Sequence, residues 1–306
     1  MILCAGESLI DMVPEGGAFR PLAGGAVYNT AIALGRLGVP SAYLWPISRD
    51  PFGEMLLRPL AEAGVDTGLC PRSDRPTTLA FVTLTRGEAR YSFYDEGSAG
   101  RMLAPADLPR IPDTVSALFI GGISLVPDPC GAAVEALVDR LRNRVPVMID
   151  PNIRPFFIAD PEAYRARLDR LIGKADLLKL SADDLEWLMP GKTFAEAAAH
   201  YLSRSVRAVF QTGGAQGATA HWQDARVSAP ALRVEVADTI GAGDTFNAGV
   251  LASLHQSGAL SREGLARLTP DQLAAALAMG TRTAAITVSR PGANPPWAHE
   301  LAALPA

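Results

Sequence analysis

Cysteine is scarce in this chain, and the three present, Cys4, Cys70 and Cys130, stand far apart. None belongs to a CxxC pair, which argues against a zinc site, and an odd, scattered set offers no disulfide framework. A reducing, cytoplasmic setting is therefore expected. Positive charge is not in surplus either: 28 Lys and Arg stand against 32 Asp and Glu, for a formal net charge of −4, with no basic block. Nucleic acid is accordingly not an expected partner. Long apolar runs are missing, since no stretch reaches the roughly 18 residues that a membrane helix needs. The opening Met-Ile-Leu-Cys-Ala-Gly-Glu has no basic region and carries Glu7 and Asp11 early, so it does not read as a signal peptide. His200, His221, His255 and His299 show no metal-ligand spacing and read as surface or packing residues. No internal repeat, low-complexity tract or linker rich in Pro, Gly or Ser is apparent.

What is present suits a globular α/β protein: 306 residues, 48% apolar and 20% charged. Met1–Ala5, Ala117–Gly121, Val145–Asp150, Asp176–Leu180 and Ala208–Thr212 read as short buried strands. Helical patterns fall at 26–37, 52–63, 130–143, 161–173, 182–189, 194–203, 244–257 and 271–286. In the first of these, Val27, Ala31 and Leu34 share a face before Gly38 stops the helix. Such alternation predicts a three-layer αβα sandwich on a mostly parallel sheet. One region departs from it. Thr78–Thr85 and Ala89–Asp95, separated by Arg86-Gly87-Glu88, have a hairpin pattern. The expected organisation is one domain over 1–306, with a small β lid built from segments at about 12–24 and 76–100.

Residues 238–250, Asp-Thr-Ile-Gly-Ala-Gly-Asp-Thr-Phe-Asn-Ala-Gly-Val, carry the chemistry. Small residues leave backbone N–H groups open at a helix N-terminus, which attracts anions. Asp244 in that cradle repels an anion, so its presence makes sense if it takes a proton from a hydroxyl attacking a phosphate. The loop alone also fits a tight turn with Asp244 as helix cap. Two other phosphate motifs fail: Glu186 stands where the first glycine of a P-loop ending at Gly191-Lys192-Thr193 belongs, and Phe246 takes the third glycine position of a dinucleotide fingerprint. Ala23-Gly24-Gly25-Ala26-Val27-Tyr28-Asn29 is a second glycine loop entering a helix, where Asn29 suits a sugar hydroxyl or a structural role. Asp11, just after the first strand, suits a ligand or a cap.

Together these motifs resemble the ribokinase-like (PfkB) sugar kinase family. The family's C-terminal signature is matched across Asp238–Leu251, and its N-terminal signature from Ala23 to Gly38, departing at Ser48 where glycine is usual. Asp150-Pro-Asn-Ile-Arg154 is similar to its Asp-Pro-Asn-x-Arg segment, and Lys179-Leu-Ser-Ala-Asp-Asp184 to its Lys-x-Asn-x-x-Glu segment, with Ser181 and Asp184 as departures. Gln211-Thr-Gly-Gly-Ala-Gln-Gly217 resembles its nucleotide loop, and Arg290-Pro-Gly-Ala293 its closing Arg-x-Gly-Ala. The resemblance implies an ATP-dependent kinase. Asp244 is its general base, with Gly241, Ala242 and Gly243 as the anion hole. Asp11, Gly24, Gly25, Asn29, Tyr94, Asp95 and Arg154 lie around the sugar, and Lys179, Thr212, Gly213, Gly217 and Asn247 around the nucleotide. Asp184 supports Mg2+ and its waters. Backbone carbonyls near Asp238, Ile240 and Gly292 are candidates for a K+ site, although Pro296 replaces a hydroxyl found in some relatives. It also implies a homodimer formed through the lid.

The acceptor turns on Phe93-Tyr94-Asp95-Glu96-Gly97-Ser98-Ala99, which is similar to the Tyr-Tyr-Arg-x-Gly-Ser-Ala of ketodeoxygluconate kinases. Asp95 stands at the carboxylate-binding Arg and should repel a sugar acid, unless it points to solvent; Arg101 or Arg154 can restore positive charge. A neutral ketose, fructose first, is the expected acceptor, with 2-keto-3-deoxygluconate as the alternative. A sugar- or nucleotide-binding regulator without activity is the alternative of another class.

Overall fold

A computed structural model of the chain describes residues 1–85, 88–223 and 225–303; the Arg86-Gly87 part of the expected hairpin turn lies outside them. Apolar runs become strands buried on both faces, as a parallel sheet requires. In chain order these are β1 (Ile2–Ala5), β4 (Ser41–Leu44), β9 (Ala117–Gly121), β10 (Val147–Asp150), β11 (Leu177–Ser181) and β12 (Ala208–Thr212). They form a continuous parallel array in the order β4-β1-β9-β10-β11-β12. β4 was not foreseen in the sequence, nor were β13 (Ala218–Trp222) and β14 (Ala225–Ala229), which extend the array antiparallel. Their alternating burial, with one face toward solvent, is what an antiparallel edge allows.

Helices cover the sheet. α1 (Ala26–Arg36), α7 (Ala242–Gln256) and α9 (Pro270–Val288) pack together as one layer. Residues 244–254 of α7 are all buried, because the helix lies between α1, α9 and the strand ends. Likewise every residue from Val27 to Leu34 of α1 is buried, not only the predicted face. α3 (Cys130–Leu141), α4 (Pro161–Ile172), α5 (Ala182–Leu188) and α6 (Phe194–Leu202) follow β9, β10 and β11. α2 (Pro51–Glu62), capped by the Asp50 carboxylate, lies beside a two-residue ladder between β5 (Ile47–Ser48) and β6 (Arg72–Ser73). α8 (Arg262–Ala266) and α10 (Ala298–Ala302) are single-turn additions. No helix among the described residues is long and apolar enough to cross a membrane.

The lid is a second sheet of four strands, ordered β3-β2-β7-β8, made of β2 (Leu9–Glu15), β3 (Ala18–Gly24), β7 (Leu79–Thr85) and β8 (Glu88–Tyr94). Its first strand starts at Leu9, earlier than the expected 12, because β2 continues β1 after three residues. Register decides its faces. Asp11 pairs with Leu22 and with Ala80, and Ala80 with Phe93, so these point to one side. Tyr91 shares that side and stacks on Phe156, at 5.7 Å between ring centroids, while Phe93 meets Phe157 edge-on at 4.9 Å. Phe19, Phe81 and Tyr94 form a separate cluster on the other side, with ring centroids 4.9 and 5.3 Å apart.

Candidate active site

β10, β11 and β12 end side by side on Asp150, Ser181 and Thr212. Carboxyl ends of parallel strands are where ligands bind in open α/β sheets. The N-terminus of α7 meets them there. Its N-cap Gly241 is left-handed, with φ 77°, and a Cβ would stand 2.7 Å from the Ala293 Cβ, so the position requires glycine. Thr245 is the first to bond back, N to Gly241 O at 2.9 Å. The first-turn amides of Gly243 and Asp244 therefore have no intrahelical acceptor. Ala242, expected to offer its amide to an anion, has that N–H turned toward Thr239 O at 3.3 Å.

Asp244 is 8% exposed; its Oδ2 accepts from Asn29 Nδ2 at 2.8 Å and its backbone carbonyl from Thr30 Oγ1 at 3.1 Å. Burial pushes its carboxyl up to about 7; the Asn29 bond and the Lys179 ammonium oppose the shift, and the Asp150 and Glu7 carboxylates add to it. A base that titrates near neutrality can accept a proton there without being permanently charged beside an anion. Asn29 and Thr30, on the helix that follows the Gly24-Gly25 loop, bring that loop's end to it. Asn29 N donates to Gly25 O at 2.8 Å. Asp11 reaches Gly24 so closely that a Cβ on Gly24 would lie 2.5 Å from its Oδ2, and burial pushes its carboxyl up to about 6.

On the other side of the α7 N-terminus lies a cavity of about 870 Å³. Thr212 and Gly217 line one wall, with Ala242, Gly243 and Phe246 at the floor. Gly213 N donates to Gly217 O at 2.8 Å and so closes the loop after β12. The remaining walls, Leu232, Val234 and Val236 on one side and Ala284, Ala285 and Val288 of α9 on the other, were not foreseen. Their only sequence signal is the Val234-x-Val236 alternation.

Behind the loop sits a buried polar cluster. Lys179, 3% exposed, places Nζ 3.1 Å from Asp150 Oδ2 and 3.3 Å from where a Cβ on Gly243 would be. Burial tends to discharge this ammonium, but the Asp150 and Asp184 carboxylates outweigh it and hold it charged. Asp150 had no role in the sequence reading.

Five expected residues sit differently. Asn247 does not line this cavity; three residues on from Asp244, it faces the strand ends and donates to Asp150 Oδ2 at 2.7 Å. Asp184 holds backbone and a hydroxyl in place: Oδ1 accepts from Ile153 N at 2.7 Å, and Oδ2 from Ser181 N and Oγ at 2.8 and 2.6 Å, in a capping box. Asp95 neither points to solvent nor stands free, since Oδ2 holds Arg101 Nη1 at 2.8 Å in a partly buried pair. Arg154 is exposed and folds back on the carbonyl of Ile153 at 3.1 Å. Tyr94 lies on the lid face opposite Asp11, 64% exposed, because strand side chains alternate; Tyr91 has the inward position. Asp238 links the two loops that bear Ile240 and Gly292, accepting from Ile240 N at 3.0 Å and Gly292 N at 2.9 Å.

Known proteins are similar to this chain in sequence and fold. A family model described as pfkB family carbohydrate kinase matches residues 1–300. A fructokinase of Rhizobium leguminosarum bv. trifolii is 47% identical over 278 residues, 89% of this chain and 85% of the relative. A fructokinase of Klebsiella pneumoniae is 30% identical over 293 residues, 94% of this chain and 93% of the relative. The crystal structure of a Xylella fastidiosa fructokinase with bound ATP superposes with a TM-score of 0.90 at 28% identity, covering 98% of this chain and 96% of that one. With a buried carboxylate at a glycine-rich helix N-terminus and these matches across its length, the chain belongs to the pfkB family of carbohydrate kinases.

Proposed function

We propose that this kinase, one domain with a β lid, transfers the γ-phosphoryl group of ATP to a primary hydroxyl of a neutral ketose, fructose first. The observation that carries the reading is Asp244, buried, held by Asn29 and set between the sugar loop and the nucleotide cavity. As the sugar oxygen bonds to phosphorus, its proton goes to Asp244 Oδ, the bond from phosphorus to the bridging oxygen breaks, and ADP leaves. The Gly243 amide and the Lys179 ammonium oppose the charge on the transferring group. The named fructokinase relatives support fructose. The Asp95–Arg101 pair supports neutrality, because it commits Arg101 to a carboxylate of this chain instead of a sugar acid. Turnover of a sugar panel, followed by coupled ADP release, is the test. Fructose is expected to give the highest kcat/KM; phosphorylation of 2-keto-3-deoxygluconate in preference to fructose overturns the acceptor, and sugar binding without ADP release favours a regulator.

Mg2+ is proposed to arrive with the nucleotide. No cluster of three or more His, Cys, Asp or Glu suited to a metal exists among the described residues, which fits a hydrated ion held mainly by phosphates. Asn247 Oδ1, buried and without a partner, is an acceptor suited to a metal-bound water. The loops joined by Asp238 are the proposed K+ site. The free state of Cys4, Cys70 and Cys130 is consistent with a cytoplasmic location.

The outer lid face is proposed to seat a second copy of this chain, since Phe19 and Tyr94 are 43% and 64% exposed and flank Phe81. Light scattering at micromolar concentration is expected to give a dimer, and Phe19→Asp with Tyr94→Asp a monomer. A monomeric wild type overturns the assignment.

A further inference from the structure

Glu7 is a buried carboxylate to which phosphoryl transfer assigns no task. It follows β1 by two residues and is 6% exposed. Burial raises its carboxyl, and the groups that chiefly oppose the shift are N–H and hydroxyl donors. Such a group is costly unless its bonds matter. Its two oxygens go to two different elements. Oε1 accepts from Ala26 N at 3.0 Å, and Oε2 from Ser124 N at 3.2 Å in the loop after β9. Ala26 opens α1, whose N-cap Gly25 has no side chain to offer and whose first turn contains no acidic residue. Glu7 thus supplies from outside the anion that a helix N-terminus ordinarily finds in its own cap. The seat is shaped for it: Gly122 has φ 68°, and a Cβ there would overlap Glu7 Oε1.

α1 also carries the groups that meet the base. Three residues beyond Ala26, Asn29 donates to Asp244 Oδ2, and Thr30 donates to the Asp244 carbonyl. The seating of the α1 N-terminus therefore decides both the shape of the Gly24-Gly25 loop and the reach of Asn29. We infer that Glu7 is a positioning residue whose carboxylate clamps the start of α1 to the loop after β9, and so holds Asn29 on Asp244 and the glycine loop open to the sugar. This rests on the proposed roles of that loop and of Asp244.

Glu7→Gln sets an amide NH2 against one of the two backbone N–H donors and loosens the clamp, while the extensive burial of α1 keeps the helix docked. The expected result is a fall in kcat of about tenfold or more and a comparable rise in KM for the sugar, with KM for ATP within about twofold of wild type. The last follows because no wall of the nucleotide cavity bonds to Glu7. Gly122→Ala, which crowds the carboxylate but retains it, is expected to give the same pattern at smaller amplitude. In an Asn29→Ala background, Glu7→Gln should lower kcat by less than about twofold more. Two outcomes overturn the role: both variants within about threefold of wild type in all three constants, or both KM values rising together as in general loosening. The wild type's preferred sugar serves as substrate, so a wild type that ignores fructose refutes the acceptor assignment and leaves the Glu7 pattern readable.

Discussion

Asp244→Asn is expected to lower kcat by about 100- to 10,000-fold, the range that a positioned general base contributes. Asn can still accept the Asn29 hydrogen bond, so the geometry survives and the loss reports proton acceptance. In the wild type, kcat/KM should rise about tenfold per pH unit at low pH and level off near pH 7, where the Asp244 carboxyl titrates; the variant should lack that limb. Near-normal turnover, or an unchanged limb, removes Asp244 from the role. The same variant should be more stable than wild type at pH 8. The folded pKa lies above the ordinary 3.8, at about 7, so the stability that the protonated carboxyl provides is complete below 3.8 and is lost as pH rises through 7. At pH 8 the wild type holds a buried charge that Asn lacks. A gain of several degrees in Tm is expected, shrinking as pH falls below 7. Activity and stability therefore pull apart at this residue.

Lys179→Met is expected to be damaging in two separable ways. It leaves Asp150 buried without its ammonium partner, and breaking a buried pair costs about 3–5 kcal/mol. At about 2–4 °C per kcal/mol for a chain of this order, Tm should fall by roughly 10 °C. It also removes a charge next to Gly243, which should reduce kcat by about 100- to 1,000-fold, as for other preorganised electrostatic groups. Adding Asp150→Asn separates the two. The double variant should recover most of the lost Tm, since no lone charge remains, but little of the lost kcat. If kcat returns with Tm, Lys179 supports the fold alone.

Five of the six parallel strands were legible because they are short, continuous apolar runs, and Ala117–Gly121 and Ala208–Thr212 are found where the pattern puts them; β4, Ser41–Leu44, was not. β13 and β14 were not, because half of each faces solvent and the pattern thins to Ala, Thr and Ser. At the site, Asp244 was legible since its loop combines glycines, a carboxylate and the start of a helix within a few residues. Glu7, Asp150 and Thr30 were not, because their partners lie far along the chain: Glu7 bonds Ser124, Asp150 meets Asn247, and Thr30 reaches Asp244. Tyr94 was misplaced because a hairpin's inward face follows from its pairing, which no local pattern contains.

The sequence by itself determined the chemistry of phosphoryl transfer, since an open helix N-terminus and an adjacent acid are local and survive being read in a line. It also determined five of the parallel strands, which declare themselves as short buried apolar runs. Only the tertiary structure decided what surrounds that acid: the burial that pushes Asp244 to about 7, the ammonium behind Gly243, the ion pair that ties Asp95 to Arg101, and the carboxylate of Glu7 under α1. Each depends on distance and desolvation between segments remote in sequence, and those quantities exist only once the chain has folded.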